Sequence, residues 1–388
     1  MNFAKRQKSL APCPSPEKVR LAVFFRYAAA WLPMSGLCWM SAVSADPLRK
    51  SAPLYENPFD LSAGGASLTR STQEGVFFSN PSLPALGAGF LRWIYGRAAI
   101  HFGADAVDLG REVYQKKKAG TLKVDSTLVE KLLKTPIHVG NDATLGFVTA
   151  FAGLSAFQTL RTDIEGRQFG SQGLPEVRTR ADAAVGVAAL AAIPVGDVLS
   201  LGVSVKPAYA AETFETISLS DFSGSGAKQM LSDIKQNTRY GLGVSVGLGS
   251  TVQLRSENFD LRIATTVDDL GQTKFSSGVS SWKQTINAGI GIIPHTRGSA
   301  VHCAADLRDL QRSYGEHWTR RFRAGCKLLL ASRIGFGAGF YQGWPSYGIV
   351  ANLVLMRLEA GSYTREFGSE AGTRGRRVYF LATGFEIP

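Results

Sequence analysis

Residues 301–330 read VHCAADLRDLQRSYGEHWTRRFRAGCKLLL. Val301, Cys303, Ala305 and Leu307 share one side of an extended chain, while His302, Asp306 and Arg308 share the other. Further on, Trp318, Phe322, Ala324, Cys326, Leu328 and Leu330 oppose Arg321, Arg323 and Lys327 in the same way. Side chains of a strand alternate with period two, so the stretch predicts two strands, each with an apolar and a charged face. A turn centred between Ser313 and Tyr314 gives paired residue numbers that sum to about 627, and one bulged residue raises the sum to about 629. At that register Cys303 faces Cys326, Asp306 faces Arg323, and both apolar sets fall on one face. The fold then turns on which face meets lipid.

The same two-faced pattern recurs. Leu199, Leu201, Val203 and Val205 alternate with Ser200, Gly202, Ser204 and Lys206, and Leu242 to Leu248 alternate with glycine and serine. Phe259–Ile263, Ile334–Phe340 and Tyr379–Phe385 follow suit. A soluble sandwich also alternates. Here, however, some twelve to fourteen segments of about ten residues match the length a tilted strand needs to cross a bilayer. Their second faces are polar or glycine rather than filled with large core residues. Since an open sheet in lipid leaves costly unpaired backbone groups, the expected fold is all-β, a closed transmembrane barrel over residues 90–388. Trp318, Trp344, Tyr347 and Tyr379 are expected at headgroup depth. Ala143 to Leu160, eighteen residues without a charge, suits a hairpin turning near Ala152-Gly153 as well as it suits a helix.

The N-terminus predicts export. Lys5, Arg6, Lys8, Lys18, Arg20 and Arg26 precede an apolar stretch from Tyr27 to Met40, and Val43-Ser44-Ala45 offers a cut ahead of Asp46. Cleavage after residue 45 removes six bases and Glu17, lowering the formal charge from +12 to about +7. No basic stripe interleaved with aromatics follows, which argues against a nucleic-acid partner. Cleavage also leaves Cys303 and Cys326 as the remaining cysteines. They are either a cross-strand disulfide or two small apolar residues facing lipid, and the sequence leaves both readings open.

Between the leader and the strands, residues 46–89 are rich in turns: Asn57-Pro58, Gly64-Gly65-Ala66 and Asn80-Pro81-Ser82. Phe59, Leu61, Val76, Phe77 and Phe78 give this span enough apolar bulk to form a compact plug. Strands are expected from Phe90 through Ala106. Two polar insertions follow, Tyr114–Lys134 with helical spacing at Leu128, Val129, Leu132 and Leu133, and Asp221–Asn237 with a short helix over Lys228–Ile234. The Lys116-Lys117-Lys118 run reads as a solvated face.

Several of these segments resemble the long-chain fatty acid transporter (FadL-like) superfamily, nearest its uncharacterised and PorV-like branches. They are Gly64-Gly65-Ala66, Asn80-Pro81-Ser82, Asp306 to Leu310, Gly339 to Gly348 and Tyr363 to Gly368. The resemblance implies a fourteen-stranded barrel plugged by an N-terminal hatch, with hydrophobic ligands leaving sideways through a gap in the wall. Asn80 and Pro81 match the family's Asn-Pro-Ala hatch turn, and Ser82 departs from it.

Two functions stand ahead of the rest. One is a monomeric outer-membrane barrel that takes up long-chain fatty acids or similar hydrophobic solutes, with Arg321, Arg323 and Lys327 drawing a carboxylate toward the lumen and Asp306 paired to Arg323. The other is a non-transporting scaffold or secretion-system shuttle that binds protein partners through its loops. A greasy cavity at Phe59, Phe77 or Phe78 would favour the first, a filled lumen with apolar loops the second. The five histidines show no metal-ligand spacing, and no nucleophile elbow, phosphate loop or cofactor motif appears, so an enzyme is the weakest reading.

Overall fold

The computed structural model describes residues 55–70, 72, 74–86, 93–119, 135–167, 176–218, 236–296, 298–331, 333–353, 355–368 and 370–387. The expected leader, the segment Leu128–Leu133 and the short helix at Lys228–Ile234 lie outside them. Among the described residues, fourteen antiparallel strands form one closed barrel in chain order, with the first strand pairing to the last. They are β1 (Trp93–Gly103), β2 (Ile137–Val148), β3 (Ala152–Arg167), β4 (Glu176–Val195), β5 (Leu199–Ser218), β6 (Arg239–Arg255), β7 (Phe259–Asp268), β8 (Thr285–Pro294), β9 (Ser299–Leu307), β10 (Phe322–Leu330), β11 (Ile334–Tyr341), β12 (Trp344–Leu353), β13 (Met356–Glu366) and β14 (Gly375–Ile387).

The alternation sets the two faces. Leu201, Val205, Leu242, Val244, Ile334, Phe336, Phe340, Leu381 and Phe385 all project outward and are at least 39% exposed, with no covering element among the described residues. Each large aliphatic side chain left in water forgoes about 1.5–3 kcal/mol of burial, so a continuous outer band of them requires lipid. Inward, Ser200, Ser204, Thr251, Arg323 and Asp306 are buried. No helix among the described residues is long and apolar enough to cross a membrane, and the crossing elements are strands. Connections at the end that carries the start of β1 and the end of β14 run two to four residues, whereas those at the other end extend to residues 104–136 and 219–238. This is the asymmetry of outer-membrane barrels, whose long loops face outward.

The β9–β10 register joins Cys303 to Cys326 and Asp306 to Arg323, and the residues 143–160 stretch turns at 149–151 between β2 and β3. Two local expectations are corrected. First, β1 stops at Gly103 and a helix, α2 (Ala104–Lys118), follows at once. Its alanines at 104 and 106 favour helix, Asp105 lies in the first turn, and Lys118 at the far end complements the helix dipole. Second, Trp318–Arg321 is a helical turn, α3, held by an ion pair of 3.1 Å between Glu316 and Arg320, so strand alternation begins only at Phe322. Trp344 also differs from expectation, because its indole turns inward to donate to Glu366 at 2.9 Å instead of anchoring in lipid headgroups.

Candidate functional site

The described residues between 55 and 86 enter the barrel interior and pack on its inner wall. Asn57 caps the short helix α1 (Pro58–Ser62) by accepting from the Phe59 and Asp60 amides at 2.8 and 3.1 Å. The helix rests on β11, β12 and β13, while a 3-10 turn (Leu83–Leu86) rests on β4 and β5. Glycines of the wall make room for both contacts. Gly325 pairs with Gly339 beneath Gly64, where a side chain on Gly64 (φ 83°) would strike the Ala324 carbonyl. Across the barrel Gly202 pairs with Gly249 and receives the Asn80-Pro81-Ser82 turn, since a Cβ on either glycine would lie 2.3 Å from turn atoms. Asn80 donates to the Leu68 carbonyl at 2.7 Å and to Thr251 at 2.8 Å, and Ser82 shares a hydrogen bond of 2.8 Å with Thr251.

Ion pairs fasten the same segment. Glu56 accepts from Arg323 at 2.5 Å and from the Tyr341 hydroxyl at 3.0 Å. Lys327 pairs with Asp60, and Arg97 bridges Glu74 to Glu359. Asp306 accepts from the Ser67 and Leu68 amides at 2.7 and 3.0 Å and from Arg308 at 3.2 Å. Arg70 donates to the His302, Gly325 and Ala63 carbonyls. Charges buried this deeply persist because each has a partner.

The expected Asp306–Arg323 pair is therefore replaced. The two residues are cross-strand neighbours, but each turns to the interior segment, whose Glu56 and backbone amides offer closer partners. Arg321 leaves the lumen set altogether, because it belongs to α3 and donates to the Asp309 carbonyl at 2.5 Å. Arg323 and Lys327 are engaged with Glu56 and Asp60 instead of standing open to a solute. The Cys303–Cys326 pair lies outward on the lipid face, bonded with S–S 2.06 Å. Sequence reading also overlooked two buried couples on the inner wall, His101 with Asp142 at 3.1 Å and His138 with Asp163 at 2.7 Å. The inward period-two phase of β1 to β3 already carried these residues.

One part of the inner wall is not polar. Ala184, Ala188 and Leu190 of β4 and Ala208 of β5 form an apolar cluster with Tyr95, Val148 and Phe157, and the interior segment covers it with Tyr55, Val76, Phe77 and Phe78. Phe78 meets Phe157 edge-on with ring centroids 5.1 Å apart. Phe77 and Phe78 fill this space, so they cap an apolar wall and do not line an open cavity. Phe59 sits elsewhere, with the Lys327 ammonium 4.8 Å from its ring centre. Above the cluster, at the long-loop end, a cavity of about 680 Å³ lies between β4, β5 and the β7–β8 connection. Ala210 is part of its lining and pairs with Ala184 of the apolar cluster. Its polar side is Arg180, tied to Asp182 at 2.9 Å and Glu212 at 3.1 Å, with Ser280 donating its amide to Glu212 at 2.9 Å.

A closed wall of fourteen strands encloses a segment that carries the Asn-Pro turn. This is a closed transmembrane barrel with a chain segment held inside it. The sideways gap implied by the sequence resemblance is not open here, since every neighbouring pair of strands is hydrogen-bonded, and the wall is thinnest at β8–β9, where five residue pairs join the strands. No family model matches the sequence, and no curated protein does. Solved structures similar to the chain include the Ralstonia pickettii toluene transporter TbuX, at 11% identity over 85% of this chain and 97% of that one, with a TM-score of 0.48. The Pseudomonas putida toluene transporter TodX is similar at 10% identity over 87% and 99%, with a TM-score of 0.38. The CymD monoaromatic hydrocarbon channel is similar at 11% identity over 85% and 96%, with a TM-score of 0.39.

Proposed function

We propose that the barrel carries hydrophobic solutes across the outer membrane, with residues 55–86 as its hatch. The observation that carries this reading is that the loop-end cavity adjoins the apolar strip, since Ala210 of its lining pairs with Ala184. A solute shedding its water at the Arg180 rim meets Ala210, then Ala184, Ala188 and Ala208, and then the aromatic side chains of the hatch. Small apolar residues offer nothing for a polar solute to bond, and they give width to a chain or ring once the hatch aromatics that fill this space are displaced. Long-chain fatty acids are one solute class. Toluene is another suitable probe, because TbuX and TodX are named as its transporters.

The test compares uptake of a radiolabelled fatty acid and of toluene by cells with and without the protein, and by cells carrying Ala184→Trp or Ala208→Phe. Uptake should rise with the protein and fall to background in both variants at equal outer-membrane level. Uptake that ignores the protein's presence sinks the reading. The alternative is a scaffold that binds protein partners, and the ion-paired filling of the lumen favours it. Partners captured by crosslinking through the loops, together with unchanged uptake, would select that alternative.

A further inference from the structure

Arg377 differs from the arginines of the inner wall. Arg97, Arg323, Arg357 and Arg365 each meet a carboxylate, whereas Arg377 is in ion-pair contact with none among the described residues. It belongs to the outward set of β14, in phase with Tyr379, Leu381, Thr383 and Phe385. Its guanidinium lies over the Tyr347 ring at 5.3 Å and donates to the Tyr347 hydroxyl at 2.9 Å and to Ser362 Oγ at 3.3 Å. These three side chains come from adjacent strands, since Tyr347 pairs with Ser362, and Ser362 pairs with Tyr379. The cation is thus oriented on the lipid face by neutral groups, and a guanidinium has five donors, so others remain for a ligand.

Its depth fits a headgroup. From Ile387 to Arg377 the strand advances about 3.4 Å per residue, and at a tilt of about 40° that is roughly 25 Å of height, the thickness of the apolar band. Arg377 therefore stands at the upper edge of that band, on the long-loop side. Helix α2 leaves the wall at the same level, because Gly103 pairs with Val378, and it packs on β1, β2 and β14. Val107, Arg111, Tyr114 and Lys118 form one exposed stripe of that helix, apolar and aromatic residues interleaved with cations.

We infer that Arg377, seated on Tyr347 and Ser362, binds the phosphate of an anionic lipid in the outward-facing leaflet, with α2 lying over the same headgroups. The planar fork of arginine suits a phosphate, which takes two parallel hydrogen bonds from it. Low dielectric at the edge of the band strengthens the contact relative to water. The inference rests on the membrane placement and outward orientation of the long loops, and not on what the barrel transports.

The test uses the full protein in detergent micelles, with unfolding midpoints measured against added diphosphorylated lipid A, its dephosphorylated form, and inorganic phosphate. The phosphorylated lipid should raise the midpoint, and the other two should not. Arg377→Gln and Tyr347→Phe should each lose at least half of that rise, and Arg333→Gln, at the opposite rim, should keep it. Native mass spectra should show retained lipid falling at least fivefold in Arg377→Gln. A full rise in Arg377→Gln, or an equal rise with inorganic phosphate, overturns the inference. Should Arg377→Gln fail to assemble, judged by heat-modifiable migration, Tyr347→Phe and Ser362→Ala carry the same test. Failure of the wild type itself to migrate as a barrel would instead remove the membrane reading.

Discussion

At single positions the inner wall is shaped by what it must accommodate. Gly202 and Gly249 have ordinary strand backbones, so their lack of a side chain is explained by space and not by conformation. Gly202→Val should force the Asn80-Pro81-Ser82 turn off the wall at a cost of about 1–3 kcal/mol, the usual range for overpacking. Limited proteolysis checks it, with cleavage within residues 72–86 expected in the variant and not in the wild type. Asn80→Ala removes the donors to the Leu68 carbonyl and Thr251, and it should cost about 1–3 kcal/mol by leaving buried acceptors unpaired. A third residue-scale expectation concerns Cys303 and Cys326. Thiol labelling of the denatured, unreduced chain made without residues 1–45, and so without Cys13 and Cys38, should find no free thiol, and two labels per chain would exclude the bond.

At the scale of elements, α1 and the turns around it are held by charges that reach across most of the chain. Arg323→Met should destabilise the barrel by about 3–5 kcal/mol, because Glu56 would stay buried without its partner. Adding Glu56→Gln should restore most of that loss, and a double-mutant cycle read by thermal unfolding measures it. The same pairs set an acid limit. Burial alone would raise the carboxyls of Glu56 and Glu74, but Arg323 beside the first and Arg97 beside the second hold both below the ordinary carboxylate value. A depressed folded-state pKa contributes stability above the unfolded value of about 4.3, and that contribution is lost as pH falls through the folded value. The interior segment should therefore become protease-sensitive on acidification below about pH 4, whereas the strands, closed by backbone bonds, remain. These partnerships were not legible in the sequence. Arg323 showed its inward phase plainly, but Glu56 lies 267 positions away and carries no periodic mark. Helix α2 was missed for a different reason, because Ala104 and Ala106 suit a strand end as well as a helix start. The glycine pairs could have been found, since Gly202 and Gly249 both sit on the inward phase of strands already recognised.

Over the whole molecule, period two was enough to read a barrel, because closure in lipid leaves one arrangement for two-faced strands, greasy side out. What period two could not give is how firmly each strand holds its neighbour. β9 pairs with β10 along nine residues and is also joined to it through Cys303 and Cys326, whereas on its other side it pairs with β8 only from Ala288–Leu307 to Ile292–Cys303. Pro294, which has no amide hydrogen to give, stands where that ladder stops. The Arg70 guanidinium reinforces the β9–β10 side from within through the His302 and Gly325 carbonyls, whereas on the β8 side the added bonds, Asp309 amide to Asn287 at 2.9 Å and Leu310 amide to the Ile286 carbonyl at 2.7 Å, lie at the long-loop end. If the wall ever parts, the weakest ladder parts first, so hydrogen exchange should find Ser299 and Val301, whose amides face β8 beyond the end of its ladder, the least protected strand amides of the barrel. Replacing Pro294 with Val should slow that exchange. Protection there equal to that of the β4–β5 ladder would show that ladder length does not govern where this wall yields.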